Sequence, residues 1–183
     1  CLPAAHIQAA HETYIGLVET GVGLIPGGGG SIALYEKMLS GYPKGVRFDL
    51  QEVANKVFET VAMANVSTSA AEARSLNFLH EADGISVNVD HLLYDAKQAA
   101  IALADAGYKA PTRKKIPVTG ATGYGTLVIG AQGLLDSGFI SEHDFFIAKK
   151  LAFVLAGGMV PYGTEVDEDY LLNLEREAFL QLI

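Results

Sequence analysis

Apolar side chains return every three or four residues after Asp49: Leu50, Val53, Val57, Phe58 and Val61 fall on one stripe, with Ala54 and Ala62 beside it. That period predicts a helix with one buried face, capped by the Asp49 carboxylate. Ser69-Ala-Ala-Glu72 reads as a capping box, in which each side chain serves the other's backbone donor. The helix it opens should end before Asp83-Gly84, and Ile85-Ser-Val87 reads as a short extended piece. Asp90 is placed to cap a long Ala/Leu helix reaching about Ala106, with Gly107 as its stop. Residues 108–120, with Pro111 and Pro117, read as a loop. Helices are also expected over 124–136, from Ser141 to about Ala156 with Gly157-Gly158 as terminator, and from Asp167 onward through Leu171, Leu174, Ala178 and Leu182.

The start of the chain has a different pattern. Residues 4–18 hold short apolar runs without a helical stripe, which predicts one or two short buried strands. Residues 20–30 carry six glycines and Pro26, a turn-rich loop, and Ile32, Tyr35, Met38 and Leu39 then resume helical spacing. Strands are therefore expected mostly in the first 30 residues, and residues 49–183 are expected to be mainly helical.

Composition narrows the classes. Of 183 residues, 50% are apolar, and 13 Lys+Arg against 21 Asp+Glu leave a net charge of −8. This is too apolar for a disordered chain and too acidic for broad nucleic-acid binding. One cysteine excludes an internal disulfide framework and a Cys-built zinc site. No apolar run reaches the roughly 20 residues of a membrane helix, and no signal-peptide pattern is visible. The chain opens at Cys1 and stops at Ile183 inside a helical pattern, so a piece of a longer protein is expected.

Several motifs invite chemistry. Gly120-Ala-Thr-Gly123-Tyr-Gly125 after Ile116-Pro-Val-Thr looks like a dinucleotide-binding turn, but Pro117 sits where a central parallel strand would need a donor, and the glycine spacing differs from GxGxxG. A helix-opening loop is the favoured reading. Gly21-Val-Gly23 lacks a third glycine, and Gly27–Gly30 is not followed by the Gly-Lys-Ser/Thr of a P-loop. His6, His11, His80, Glu81, Asp83 and His91 lack metal-site spacing, so no metal is assigned. Arg113-Lys114-Lys115 is the densest basic cluster, read as solvated loop or, alternatively, as a phosphate contact.

Glu19 stands apart. It is the only charge between Glu12 and Glu36, set among Leu17, Val18, Val22, Leu24 and Ile25. Desolvation raises a carboxyl pKa, so such a group can exchange a proton near neutrality. The plainer alternative is a strand-end glutamate turned to water.

Residues 14–31, Tyr-Ile-Gly-Leu-Val-Glu-Thr-Gly-Val-Gly-Leu-Ile-Pro-Gly-Gly-Gly-Gly-Ser, resemble a signature of the enoyl-CoA hydratase (crotonase) family: a short strand, a glutamate, an apolar stretch, then a Pro-Gly-rich opening of a helix. The interval from Glu19 to Pro26 fits. The stretch from Ala62 to about Ala106, with Asp90 before an Ala-rich helix, looks like the family's next part. Leu2-Pro-Ala-Ala-His-Ile-Gln-Ala and Leu174-Glu-Arg-Glu-Ala-Phe-Leu look like the hydratase region of bacterial bifunctional proteins that also carry a 3-hydroxyacyl-CoA dehydrogenase.

The resemblance implies an α/β crotonase-like (ClpP/crotonase) fold truncated at its N-terminus, with 1–183 as the C-terminal part of one domain: about 1–48 a remnant of the α/β core and 49–183 a helical region. It implies water addition to a trans-2-enoyl-CoA in fatty-acid β-oxidation. Glu19 matches the glutamate that handles the α-carbon proton, and Gly27 matches a glycine whose N–H faces the reacting centre. The first glutamate and the oxyanion-hole segment would lie upstream of Cys1, so the piece itself is expected to be inactive. No cofactor is implied for hydration beyond the CoA thioester substrate; NAD would serve a dehydrogenase part outside this chain. An acyl-CoA substrate, the rest of the parent polypeptide, homo-oligomer contacts and a cytoplasmic location are expected. Val18, where many hydratases have proline, leaves an isomerase or an inactive relative open. The rival readings are an NAD(P)-binding oxidoreductase built on Gly120–Gly125 and a helical interaction module.

Overall fold

The computed structural model describes residues 1–42, 47–113 and 115–183. The chain forms two compact units, each made of two stretches: Cys1–Gly16 with Val66–Thr112, and Leu17–Asn65 with Arg113–Ile183. The anticipated division near residue 49 falls inside the second unit.

In the first unit, β1 (Gln8–Ala10) pairs in parallel with β2 (Gly84–Ser86), Ala9 opposite Ile85. Asp83 anchors this pair by accepting the Ile7 N–H at 2.9 Å and the His80 N–H at 2.7 Å. Its role is therefore to tie turns together, and among the described residues no group of three or more His, Cys, Asp or Glu is arranged to hold a metal ion. The short α3 (Ala70–Ser75) starts at Ser69, whose side chain accepts from the Glu72 N–H. The reciprocal half of the expected box is displaced: the Glu72 carboxylate takes the Thr68 N–H and hydroxyl, both at 2.7 Å. The helix opened at Asp90 is also corrected. Asn88 caps a 3-10 turn by accepting the Asp90 N–H, and α4 (Leu92–Asp105) follows before Gly107 ends it at φ +73°. The Asn88 carbonyl oxygen lies two residues before the donor it serves, the short-range geometry that Asn and Asp share. Ile7, Ala9, Ala70, Ala73, Phe78 and Leu79 form the buried core of this unit.

The second unit packs five helices: α1 (Gly30–Ser40), α2 (Leu50–Ala62), α5 (Gly120–Asp136), α6 (Glu142–Leu155) and α7 (Glu168–Leu180). The α2 stripe is buried as its spacing requires, except Phe58, which is half-buried. Asp49 caps α2 through the Gln51 N–H at 2.9 Å. Ser141 and Asp144 make a complete capping box at α6. Beside the helices, β3 (Ile116–Val118) pairs antiparallel with β4 (Thr164–Val166).

Two expectations fail here. Three of the four strands among the described residues lie beyond residue 49, and Pro117 sits within β3 instead of a loop. Proline is accommodated because β3 has a single strand neighbour, so its missing N–H costs no ladder bond, while its carbonyl accepts from the Tyr35 hydroxyl at 3.1 Å. Residues 49–183 are otherwise mainly helical, and no described helix is long and apolar enough to cross a membrane.

Candidate functional site

Glu19 opens a 3-10 turn, Glu19–Val22, rather than ending a strand. The turn is closed locally: the Leu24 N–H donates to the Glu19 carbonyl at 3.0 Å, and Gly23 takes the left-handed φ of +87° that glycine tolerates. It is also tied to α2, because the Thr20 hydroxyl donates to the Val61 carbonyl at 2.8 Å. Glu19 is half-buried, and its Oε2 is shielded from water with no hydrogen-bond partner among the described residues. Next to it, Thr20 and Gly21 wall a cavity of about 240 Å³ whose other sides include Met63, Phe139, Ile147 and Ala148. The two residues after Glu19 thus line a mostly apolar cavity that Asp144 also borders.

The glycine run is used for close approach. Gly29, at φ +78°, is the N-cap of α1, and a Cβ there would meet Leu172 at 3.1 Å. A Cβ on Gly27 would come within 2.9 Å of the Phe179 ring, and one on Gly30 within 2.7 Å of Leu17. Among the described residues no backbone carbonyl accepts from the Gly27 N–H. Phe179 therefore packs on the Gly27 α-carbon, and the Gly27 N–H, which the resemblance turns toward the reacting centre, has no backbone acceptor among the described residues.

Leu172, Glu175 and Phe179 stand on one face of α7, at i, i+3 and i+7, and this face covers the loop. Glu175 is 1% exposed, and its Oε1 accepts the Gly29 N–H at 2.6 Å. Burial pushes its carboxyl up to about 7; the Gly29 hydrogen bond opposes this and the Glu19 charge adds to it. Sequence reasoning singled out Glu19 and Gly27 but missed Glu175. The available signal was an acid on the apolar stripe of Leu171, Leu174 and Ala178.

The other motifs resolve into packing. The Gly120 and Ala121 N–H groups donate to the carbonyls of Ala156 and Val160, so these donors at the α5 N-terminus are already used. A Cβ on Gly120 would collide with the Val160 carbonyl, and one on Gly123 with the Thr119 side chain. β3 ahead of them is antiparallel to its partner, unlike the strand of a dinucleotide fold. In the basic cluster, Arg113 pairs with Glu168 and Asp169, and Lys115 with Asp167, whereas Lys114 lies outside the described residues. The phosphate reading of Arg113 and Lys115 gives way to ion pairs with acids of their own chain at the start of α7.

The chain is 62% identical over 182 residues to the probable 3-hydroxyacyl-CoA dehydrogenase of Bacillus subtilis (strain 168). The match takes in 100% of this chain and 22% of that protein, so the chain spans about a fifth of the relative's length. No family model and no solved structure matches the chain.

Proposed function

We propose that the chain is the C-terminal part of a crotonase-like hydratase domain within a larger β-oxidation protein, and that Glu19 exchanges the α-carbon proton when water adds to a trans-2-enoyl-CoA. The observation that carries this reading is Glu19 itself: a half-buried carboxylate with an unpartnered oxygen, on a fixed turn whose next residues wall a mostly apolar cavity. The residue interval from Glu19 to Pro26-Gly27 supports it, as does the open Gly27 N–H.

The chemistry of the relative's name is consistent with it. Hydration of a 2-enoyl thioester gives a 3-hydroxyacyl thioester, the compound that a 3-hydroxyacyl-CoA dehydrogenase oxidises. A polypeptide carrying both activities would pass the product of one to the other, and NAD would serve only the second. The chain's own part in hydration is the proton exchange at the Glu19 carboxylate, whose Oε2 has no partner among the described residues. The other carboxylate and the oxyanion donors would come from outside this chain.

The test is Glu19→Gln in the intact parent protein. Gln keeps the shape and cannot exchange a proton, so hydration of crotonyl-CoA should lose ~10²–10⁴-fold in kcat with KM little changed. Oxidation of 3-hydroxyacyl-CoA by the same preparation should be unaltered, which reports a folded protein. Hydratase kcat within a few-fold of wild type would dismiss the assignment.

A further inference from the structure

Glu175 is a buried acid for which the proposed hydration step has no use. Its Oε1 is held by the Gly29 N–H at 2.6 Å, at the N-terminus of α1, while its Oε2 is buried with no partner among the described residues. Glu19 Oε2 is in the same condition on the turn that leads into this loop. Here one oxygen is satisfied, the other is orphaned, and a second carboxylate's orphaned oxygen belongs to the same loop.

Glu175 is buried and Glu19 half-buried; burial is the main force holding the Glu175 carboxyl toward its neutral form, and the Glu19 charge adds to it. The elements packed against α7 also carry Glu36 and Lys37 on α1 and Glu142, His143, Asp144, Lys149 and Lys150 on α6, with His143 beside Gly23. Lys150 bonds Gln181, Lys149 lies over Phe145, and the Glu36 pKa is raised by burial first and by Glu168 second. Among the described residues, the charge that acts on Glu175 is Glu19.

We infer that Glu175 is a positioning residue for the Glu19 site: through the Gly29 N–H it fixes the Gly27–Gly29 loop, and the protonation of its own carboxyl, whose Oε2 is orphaned, makes that hold depend on pH. This rests on the reading of Glu19 as the proton-exchanging group. The shift of Glu175 toward neutrality agrees with the arrangement.

The experiment is the pH profile of hydratase kcat in the intact parent, for wild type, Glu175→Gln and Glu175→Ala. Gln accepts from Gly29 as the carboxylate does but cannot ionise. Wild type should show an inflection near pH 7, and Glu175→Gln should lose that inflection with KM within about two-fold. Glu175→Ala also releases the loop and should lower kcat by ~10²-fold, the scale of a small misplacement of a reacting group. As a measurement independent of turnover, infrared difference spectra of the wild-type protein should show a protonated carboxyl that disappears as pH rises through about 7, and Glu19→Gln should move that titration to lower pH. Superimposable kcat profiles for wild type and Glu175→Gln, or a carboxyl titration unmoved by Glu19→Gln, would overturn the inference. Should Glu19→Gln itself keep full hydratase activity, the reading of Glu19 falls, and the role given to Glu175 falls with it.

Discussion

Phe179 lays its ring against the α-carbon of Gly27, so close that a methyl group built there would sit 2.9 Å from Cδ2. Glycine at this position is therefore required by a neighbour in its own chain. Gly27→Ala should destabilise the chain by about 1–3 kcal/mol through overpacking. Phe179→Leu should lose stability as well, through the ring contacts it removes. Together the two changes should cost less than their sum, because the smaller side chain makes room for the methyl group. Urea unfolding of the four variants in the cycle measures this, and strict additivity would show that the ring does not govern the site.

Stability should fall as pH rises through neutrality. The Glu175 pKa is raised from 4.5 to about 7, with burial as the main cause. Between those values the folded chain binds a proton that the unfolded chain has released, so raising the pH favours unfolding. The contribution is complete below the unfolded value and gone above about 7. One such group gives a slope of at most ~1.4 kcal/mol per pH unit. Unfolding midpoints between about pH 5 and pH 8.5 should show this part of the slope in wild type and not in Glu175→Gln.

Ser141→Ala should cost about 1 kcal/mol, the usual value of an N-cap side chain. The Ser141 hydroxyl accepts the Asp144 N–H at 3.1 Å, and Asp144 returns the bond by accepting the Ser141 N–H at 2.9 Å. That second bond holds the Asp144 carboxyl below its ordinary pKa. Its stabilisation is present above the unfolded value and is lost as pH falls through the lowered one. The cost of Asp144→Ala should therefore fade in acid, as thermal denaturation at neutral and acidic pH would record.

Gly120→Ala should be among the most damaging single-methyl changes in the second unit. The residue has φ +59°, and a Cβ there would run into the Val160 carbonyl. Left-handed strain and a backbone collision together should cost about 2 kcal/mol or more. Gly125→Ala, where a Cβ meets nothing within 4 Å, should be neutral or stabilising. Equal melting temperatures for the two variants would refute this account of the motif.

The helices were legible because their signals are local. The Leu50–Val61 stripe, the Ser141 cap and the Gly157-Gly158 stop each lie within a few residues of what they control. Glu19 was legible for the same reason, as a lone charge in an apolar stretch. The two pairings of short strands were not, because partners such as Ile116 and Val166 lie far apart in the chain, and three residues are too few to show alternation. Glu175 was hidden in another way. Its significance comes from Gly29 and Glu19, which reach it only through the packing of α7, and nothing near it in the chain announces them. Asn88 rather than Asp90 does the capping before α4, and Glu72 serves the Thr68 donors rather than the Ser69 N–H, since polar side chains satisfy backbone donors over a range of one or two positions.

The hydrogen bond between Gly29 and Glu175 also sets an order of assembly. Its ends are 146 residues apart. During synthesis the Glu19 turn can close as soon as Leu24 emerges, and Thr20 finds Val61 after α2 forms, whereas the glycine loop waits for α7. Until that helix docks, the Gly29 N–H and the face of Gly27 stand open to water and to proteases. A nascent chain halted before Glu175 should thus be cleaved readily around residues 26–29, and resistance there should appear only once α7 has been made.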